Sequence, residues 1–260
     1  MNEAELLFSQ LLSCDRASLY LNRELHLGKD EFSKASSVLK RRMSGEPLQY
    51  ILGKTEFMGL EFIVDKNVFI PRPETEILVE IAAEYVTSKN ILDLGTGSGC
   101  IAVSLAKLLP RARITATDIS DKALRVAMKN ADLNAVKVNF LQCDLFSGMR
   151  AHSYELIVSN PPYISRQEIA DLQPEIRYEP EIALDGGSDG LDFYRRIVED
   201  STLYLKTEGY LIMEMGFGQK EGIRDIFQKN KNLEIMGIIQ DYNNIDRIII
   251  ARKKRGEWTG

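Results

Sequence analysis

Asp93-Leu94-Gly95-Thr96-Gly97-Ser98-Gly99 is the stretch that decides the fold. It follows the apolar run Ile91-Leu94 and precedes a helical segment near 100–109. Glycines let the backbone turn tightly and come close to a ligand, and the helix behind them offers free N–H groups. A plain strand-to-helix turn would not need three alternate glycines. The dinucleotide fingerprint spaces its glycines as Gly-x-Gly-x-x-Gly. Here the spacing is Gly-x-Gly-x-Gly, with an acidic residue two positions before the first glycine.

Downstream of this loop, short apolar runs alternate with helical segments. Ile114-Thr117, Val136-Leu141, Leu156-Ser159, Tyr210-Met215 and Ile248-Ala251 read as strands, interleaved with helices near 121–133, 190–205 and 219–229. Strands alternating with helices of this length predict an α/β fold with a doubly wound, mostly parallel sheet. Upstream, the pattern differs. Leu6, Leu7, Leu11 and Leu12 mark one helical face, Asp15 can cap a second helix carrying Leu19 and Leu21, and Asp30 can cap a third with Phe32, Leu39 and Met43. That third helix is expected to end at Gly45, ahead of Pro47. Residues 1–53 therefore read as a small all-α domain. Residues 54–73 read as a β-hairpin, with Gly59 and Asp65-Lys66-Asn67 as turn signals, followed by the rigid Ile70-Pro71-Arg72-Pro73. Residues 74–260 form the main domain, starting with a helix whose Ile77, Leu78, Ile81, Ala82 and Tyr85 face a core.

Composition narrows the function classes. A content of 44% hydrophobic and 27% charged residues is that of a globular protein. No apolar run approaches the roughly 20 residues that cross a bilayer, and the acidic start lacks the basic flank of a signal peptide. A cytoplasmic protein with no membrane partner is expected. Cys14, Cys100 and Cys143 are scattered, and His26 and His152 are the only histidines, so neither a disulfide framework nor a bound metal is expected. The net charge of −5 lowers the odds of a nucleic-acid substrate. The basic run Arg252-Lys253-Lys254-Arg255 reads as a solvated tail.

Two carboxylates and one tetrapeptide stand out at strand ends. Asp118 closes the second strand, where it can accept both hydroxyls of a ribose or cap the helix that starts at Asp121. Asp144 follows the third strand and can accept from an adenine amino group, with Leu145 lining the ring or simply packing in the core. Asn160-Pro161-Pro162-Tyr163 ends the fourth strand. Its prolines fix φ and donate no hydrogen bond, so the backbone carbonyls stay rigid. The Asn160 side-chain oxygen and the Pro161 carbonyl can accept both hydrogens of an –NH2 group, while Tyr163 offers a flat face to the planar group carrying it. An amide nitrogen is a weak nucleophile, and fixed acceptors both orient it and raise its electron density.

With these residues in view, the glycine loop is similar to the cofactor loop of class I S-adenosylmethionine-dependent methyltransferases. The wider set resembles the HemK/PrmC family of peptide chain release factor glutamine-N5 methyltransferases. That set comprises Asp93 to Gly99, Ser159-Asn160-Pro161-Pro162-Tyr163-Ile164, Glu179-Pro180 before Ala183-Leu184, Gly45-Glu46-Pro47-Leu48-Gln49-Tyr50-Ile51-Leu52-Gly53, Glu56-Phe57 and Ile70-Pro71-Arg72-Pro73-Glu74-Thr75-Glu76. The resemblance implies a five-helix N-terminal substrate-recognition module, a hairpin linker and a seven-stranded sheet. It implies S-adenosyl-L-methionine as cofactor, contacted by Gly95, Thr96, Gly97, Ser98, Gly99, Asp118 and Asn160. It implies a class I release factor as protein substrate, whose Gly-Gly-Gln glutamine amide Asn160, Pro161, Pro162 and Tyr163 would hold. A monomer is expected. Some members carry Trp where this chain has Leu145, so an aromatic adenine contact is absent.

Two other readings remain beside this one. Asn-Pro-Pro-Tyr also occurs in enzymes that methylate an exocyclic nitrogen of a nucleobase in DNA or RNA; the acidic chain and the Ile70-Pro71-Arg72-Pro73 segment count against that substrate. A non-catalytic docking module would use the same loop without needing Asn160. Arg72 itself reads as a linker salt bridge or a substrate contact, with structure the favoured role.

Overall fold

The chain is described from a computed structural model that covers residues 3–12, 14–21, 28–86, 90–149, 151 and 154–255. Its N-terminal part is helical: α1 (Glu3–Leu11), α2 (Arg16–Leu21), α3 (Lys29–Met43) and α4 (Leu48–Leu52). Four helices thus stand among the described residues, one more than periodicity predicts; the addition is the short α4, whose five residues give no repeat to read. Asp15 caps α2 as expected, its Oδ1 accepting from the Ser18 N–H at 2.7 Å. Asp30 does not cap α3. Gly28 holds that position, and Glu31 Oε2 accepts from the Gly28 N–H at 2.7 Å, so the turn closes one residue pair earlier. Of the apolar residues that mark these helices in the sequence, Leu7 is buried and Leu11, Leu12 and Leu19 half-buried, whereas Leu21 is 82%, Phe32 64% and Met43 86% exposed.

The hairpin is tighter than its turn signals suggest. β1 (Lys54–Phe57) pairs antiparallel with β2 (Leu60–Ile63) around Met58-Gly59 alone, and Asp65-Lys66-Asn67 lies beyond it in a separate turn. Met58 takes a positive φ of 53°, and its N–H donates to Glu76 Oε1 at 2.6 Å. Glu76 lies on α5 (Pro73–Tyr85), whose Leu78, Val79 and Ala82 are fully buried.

The main domain follows in the expected alternation: β3 (Asn90–Leu94), α6 (Cys100–Leu108), β4 (Arg113–Asp118), α7 (Asp121–Leu133), β5 (Asn139–Gln142), β6 (Tyr154–Ser159), α8 (Arg166–Ile169), α9 (Asp192–Tyr204), β7 (Leu205–Glu214), α10 (Lys220–Lys229), β8 (Leu233–Gln240) and β9 (Asp246–Lys253). They form a seven-stranded sheet in the order β5-β4-β3-β6-β7-β9-β8, parallel except for β9. The strand that periodicity misses is β8, an edge strand interrupted by Gly237 at a register shift, so its apolar residues do not alternate cleanly. Arg252 and Lys253 are not a tail. They end β9, where Lys253 Nζ donates to the carbonyls of Thr202 and Leu205 at 2.6 and 2.8 Å. One apolar cluster packs between the sheet and α5, α6 and the hairpin, and a second lies on the opposite face under α9 and α10.

Buried polar side chains on α7 and at its C-terminal end also join hairpin and main domain, chief among them Asn130. Asn130, on α7 and fully buried, accepts from the Ile63 N–H at 2.7 Å and donates to the carbonyls of Ile63 and Ser98 at 2.9 and 2.8 Å. It therefore ties β2 to the glycine loop. Replacing Asn130 by Ala removes all three bonds and strands buried backbone groups, a loss of roughly 3 kcal/mol and roughly 6–12 °C in melting temperature. Thermal unfolding of the variant checks this, and a shift under about 2 °C would show that the tie carries little.

Candidate active site

The sheet order reverses at β3 and β6, and both strands end at the same height, with Leu94 opposite Ser159. Ligands in open α/β sheets bind at such a reversal, beyond the carboxyl ends of the strands. Ser159 Oγ donates to the Leu94 carbonyl at 2.8 Å, so the glycine loop and the Asn160 loop are stitched together where they leave the sheet. Between them lies a cavity whose lining includes Gly95, Gly97, Asp118, Leu145 and Asn160 through Tyr163.

Each glycine of the loop has its own reason. Gly95 and Gly97 take positive φ of 71° and 56°, and a Cβ on either would meet open space, so their backbone faces the cavity unobstructed. Gly99, also at positive φ, turns the other way: a Cβ there would sit 2.9 Å from Ala127 Cβ on α7. Gly99 serves helix packing and is absent from the cavity lining. Thr96 and Ser98 are buried, with Thr96 Oγ1 donating to Asp93 Oδ2 at 2.6 Å. The other Asp93 oxygen is buried with no hydrogen-bond partner, and burial raises this carboxyl to about 7.

Asp118 does not cap α7; Ser120 does, its Oγ accepting from the Ala123 N–H. The Asp118 carboxylate instead accepts from the Gly97 and Ser120 N–H groups, both at 2.8 Å. Two N–H bonds fix its orientation and leave lone pairs for a further partner. Burial pushes its carboxyl above the ordinary range. Asp144 pairs with Arg196 at 2.7 Å on the cavity rim, both side chains nearly half exposed. Leu145 both lines the cavity and packs in the core beneath α9, at a positive φ of 51°. A positive φ in a non-glycine residue costs energy and persists only where its surroundings impose it.

The Asn160 loop is clamped from behind. Gln219 Nε2 donates to the Tyr163 carbonyl at 2.7 Å, and Ile164 exchanges backbone hydrogen bonds with Leu184 and Gly186. Gly190 approaches so closely that a Cβ would lie 2.4 Å from the Tyr163 carbonyl oxygen. Burial raises the Tyr163 hydroxyl to about 12, so the ring is neutral at physiological pH. In front, Asn160 Nδ2 donates to Thr75 Oγ1 at 3.1 Å, and Thr75 Oγ1 donates to the fully buried Glu214 at 2.7 Å. Nothing local in the sequence points to these contacts: Thr75 lies 85 residues from Asn160, Gln219 lies 56 from Tyr163, and Glu214 lies 139 from Thr75.

Comparison with known proteins agrees with this geometry. Residues 60–176 match the methyltransferase small domain, and residues 1–53 match the PrmC N-terminal domain. Among curated relatives, the release factor glutamine methyltransferase of Geobacter sulfurreducens is 44% identical over 96% of this chain and 88% of its own length. That of Fusobacterium nucleatum is 41% identical over 96% and 73%. The chain belongs to the release factor glutamine methyltransferase family. Its fold recurs in a methyltransferase from Pyrococcus furiosus, with a TM-score of 0.60, 18% identity, and coverage of 85% of this chain and all of that one. A 16S rRNA methyltransferase of Thermus thermophilus, solved with S-adenosylmethionine and guanosine, superposes with a TM-score of 0.53 at 16% identity over 78% of this chain and 50% of that one. Likeness at that identity speaks to fold alone.

Among the described residues no cluster of three or more His, Cys, Asp or Glu side chains is placed to hold a metal, and no helix is long and apolar enough to cross a membrane. His26 and His152 lie outside the described residues.

The family segment Ile70-Pro71-Arg72-Pro73 reaches the site through Arg72. Its guanidinium pairs with the buried Glu179, whose other oxygen accepts from the Ile70 N–H at 3.0 Å, and it stacks over Phe69 at 4.6 Å. The structural role is the one occupied. Burial holds the Glu179 carboxyl above the ordinary range even beside Arg72. Replacing Arg72 by Ala leaves that carboxylate buried without its cation, a loss of about 3 kcal/mol at neutral pH. A carboxyl whose folded pKa lies above its unfolded value destabilises most at high pH and least once it is protonated. The melting-temperature gap between Arg72→Ala and wild type is therefore expected to narrow from about pH 8 to about pH 5.5. An equal gap at both would show that Glu179 is not the group left unpaired.

Proposed function

We propose that this chain transfers a methyl group from S-adenosylmethionine to the side-chain amide nitrogen of the glutamine in the Gly-Gly-Gln motif of class I peptide chain release factors. The observation that carries this reading is the match to release factor glutamine methyltransferases over nearly the whole chain, including the N-terminal domain at residues 1–53. The site supports it with a rigid acceptor loop set across one cavity from an open glycine loop.

The residues fit such a cofactor. Gly95 and Gly97 leave room for close approach of a ligand, Asp118 is a held carboxylate suited to a ribose diol, and Leu145 with Ile119 gives an apolar slot for the adenine beside Asp144. The unpartnered Asp93 oxygen lies beneath the same loop. When bound, S-adenosylmethionine supplies a methyl group already activated on a sulfonium. The protein's task is then positioning. Asn160 Oδ1 and the Pro161 carbonyl accept the two amide hydrogens of the substrate glutamine and turn its nitrogen lone pair toward the methyl donor. Tyr163 packs against the flat amide. Good alignment of reacting groups lowers a barrier by roughly 7–11 kcal/mol, which suits a reaction with no covalent enzyme intermediate.

Incubation of the chain with labelled S-adenosylmethionine and a purified class I release factor is expected to label that factor. Equal labelling after Gln→Ala in its Gly-Gly-Gln motif would overturn the assignment. Asp118→Ala is expected to weaken cofactor binding by roughly 10–100-fold in calorimetry, the worth of a charge-assisted pair of hydrogen bonds. Asn160→Ala is expected to lower turnover by roughly 10²-fold or more while cofactor binding is largely kept.

A further inference from the structure

An amide side chain has two ends of similar shape and opposite hydrogen-bonding character. For Asn160 to accept from an incoming –NH2, its Oδ1 must face the cavity; rotated by half a turn, it would present donors to donors. The Asn-Pro-Pro-Tyr backbone cannot decide this, because the rotation is about a side-chain bond. Something outside the loop has to.

Thr75 supplies the deciding contact. Its hydroxyl has one hydrogen, which it gives to Glu214 Oε2 at 2.7 Å. Toward Asn160 the same oxygen can therefore only accept, and Asn160 Nδ2 faces it at 3.1 Å. With the nitrogen end fixed, the oxygen end turns away from Thr75. Both supports are immobile. Thr75 is 2% and Glu214 2% exposed, Thr75 sits in the first turn of α5, and Glu214 ends β7 with its carbonyl bonded by the Tyr194 hydroxyl at 2.8 Å. The direction of the chain depends on Glu214 being an acceptor. Burial raises the Glu214 carboxyl to about 7, while hydrogen bonding from Thr75 and Asn160 and the charge of Arg247 on β9 favour its ionised form and Glu74 on α5 opposes it. Tyr163, Tyr194 and Cys100 also face it, and burial holds all three neutral.

We propose that Thr75 and Glu214 are positioning residues that lock the Asn160 amide with its oxygen toward the substrate, so that the site selects an amino group over any hydrogen-bond acceptor. This rests on the methyl-transfer reading above. It also explains why a threonine stands inside Arg72-Pro73-Glu74-Thr75-Glu76, a segment in which Arg72 ties the linker and Glu76 the hairpin.

The test compares Thr75→Val, which keeps the shape and removes the hydroxyl, with Thr75→Ser, which keeps the hydroxyl. Release-factor methylation is measured as separate kcat and KM, and S-adenosylmethionine affinity is measured by calorimetry. Thr75→Val is expected to lower kcat by roughly 10²-fold, the usual effect of a misplaced catalytic group, with cofactor affinity within about threefold of wild type. Thr75→Ser is expected to retain kcat within about threefold. Wild-type kcat in Thr75→Val, or an equal loss in both variants, overturns the proposal, as does a loss confined to cofactor affinity. Glu214→Leu is expected to match Thr75→Val, and full activity in Glu214→Leu also overturns it. An inactive wild type would instead count against the methyl-transfer reading itself.

Discussion

The parallel pairing of β3 with β6, in the register that sets Leu94 opposite Ser159, is the constraint on which the site depends. Side chains alternate along a strand, so a slip of one residue would turn the end of β6 over and point Asn160 away from the glycine loop. The register is held twice, by the fully buried Leu92, Leu94, Ile157 and Val158 within the sheet and by the Ser159 hydroxyl on the Leu94 carbonyl. Because both loops leave the sheet at one level, a ligand lying over Gly95 and Gly97 is brought up against Asn160 without any moving part. The same pairing places the sheet's reversal between them, and a cleft opens there because the chain departs in opposite directions on either side.

Around this seam the fold buries three carboxylates, and each is given a different partner. Glu179 faces a cation, Arg72, and a backbone N–H; Glu214 faces a hydroxyl, Thr75; Asp93 faces a hydroxyl, Thr96, with one oxygen left over. Burying a charge is costly, so such groups persist where they direct something. Glu179 anchors the linker, Asp93 shapes the glycine loop, and Glu214 reaches the acceptor loop. Two of the three are answered from a single segment, Arg72 through Thr75, and the next residue but none, Glu76, pins the strained Met58 turn of the hairpin. That short run is where the linker, the hairpin and the acceptor loop are held in common.

What could be read from the sequence was local, and what could not was long-range. The glycine loop and the Asn-Pro-Pro-Tyr loop announce themselves through the backbone freedom of glycine and the rigidity of proline, properties that belong to the residues themselves. The strands β3, β4, β6 and β9 are short apolar runs, readable for the same reason. Thr75 and Glu214 lie 139 residues apart, and nothing in the neighbourhood of either foretells their hydrogen bond. Gly190 shows both sides: its φ of 76° is a local turn property, while the close approach of the Tyr163 carbonyl, 27 residues upstream, is visible only in the fold. The resemblance implied a cofactor contact for Gly99, and the fold adds a packing reason for a glycine there, since its missing Cβ makes room for Ala127 on a neighbouring helix. β8 escaped because an edge strand needs only one apolar face and Gly237 interrupts that face.

Leu21, Phe32 and Met43 of the N-terminal helices face outward, while charged residues of the same helices are engaged in ion pairs. Arg42 pairs with Glu3 at 2.9 Å and reaches across to Glu175 at 3.1 Å, and the Tyr178 hydroxyl donates to the Ser44 carbonyl at 2.9 Å. The module meets the 174–178 segment through these polar contacts, while Leu7, Ala35, Leu48 and Tyr50 are among the apolar side chains it buries. The acidic balance of the chain fits a protein partner better than a phosphate backbone. Polar contacts thus hold the helical module beside a main domain whose cavity and loops are set independently, by the pairing of β3 with β6.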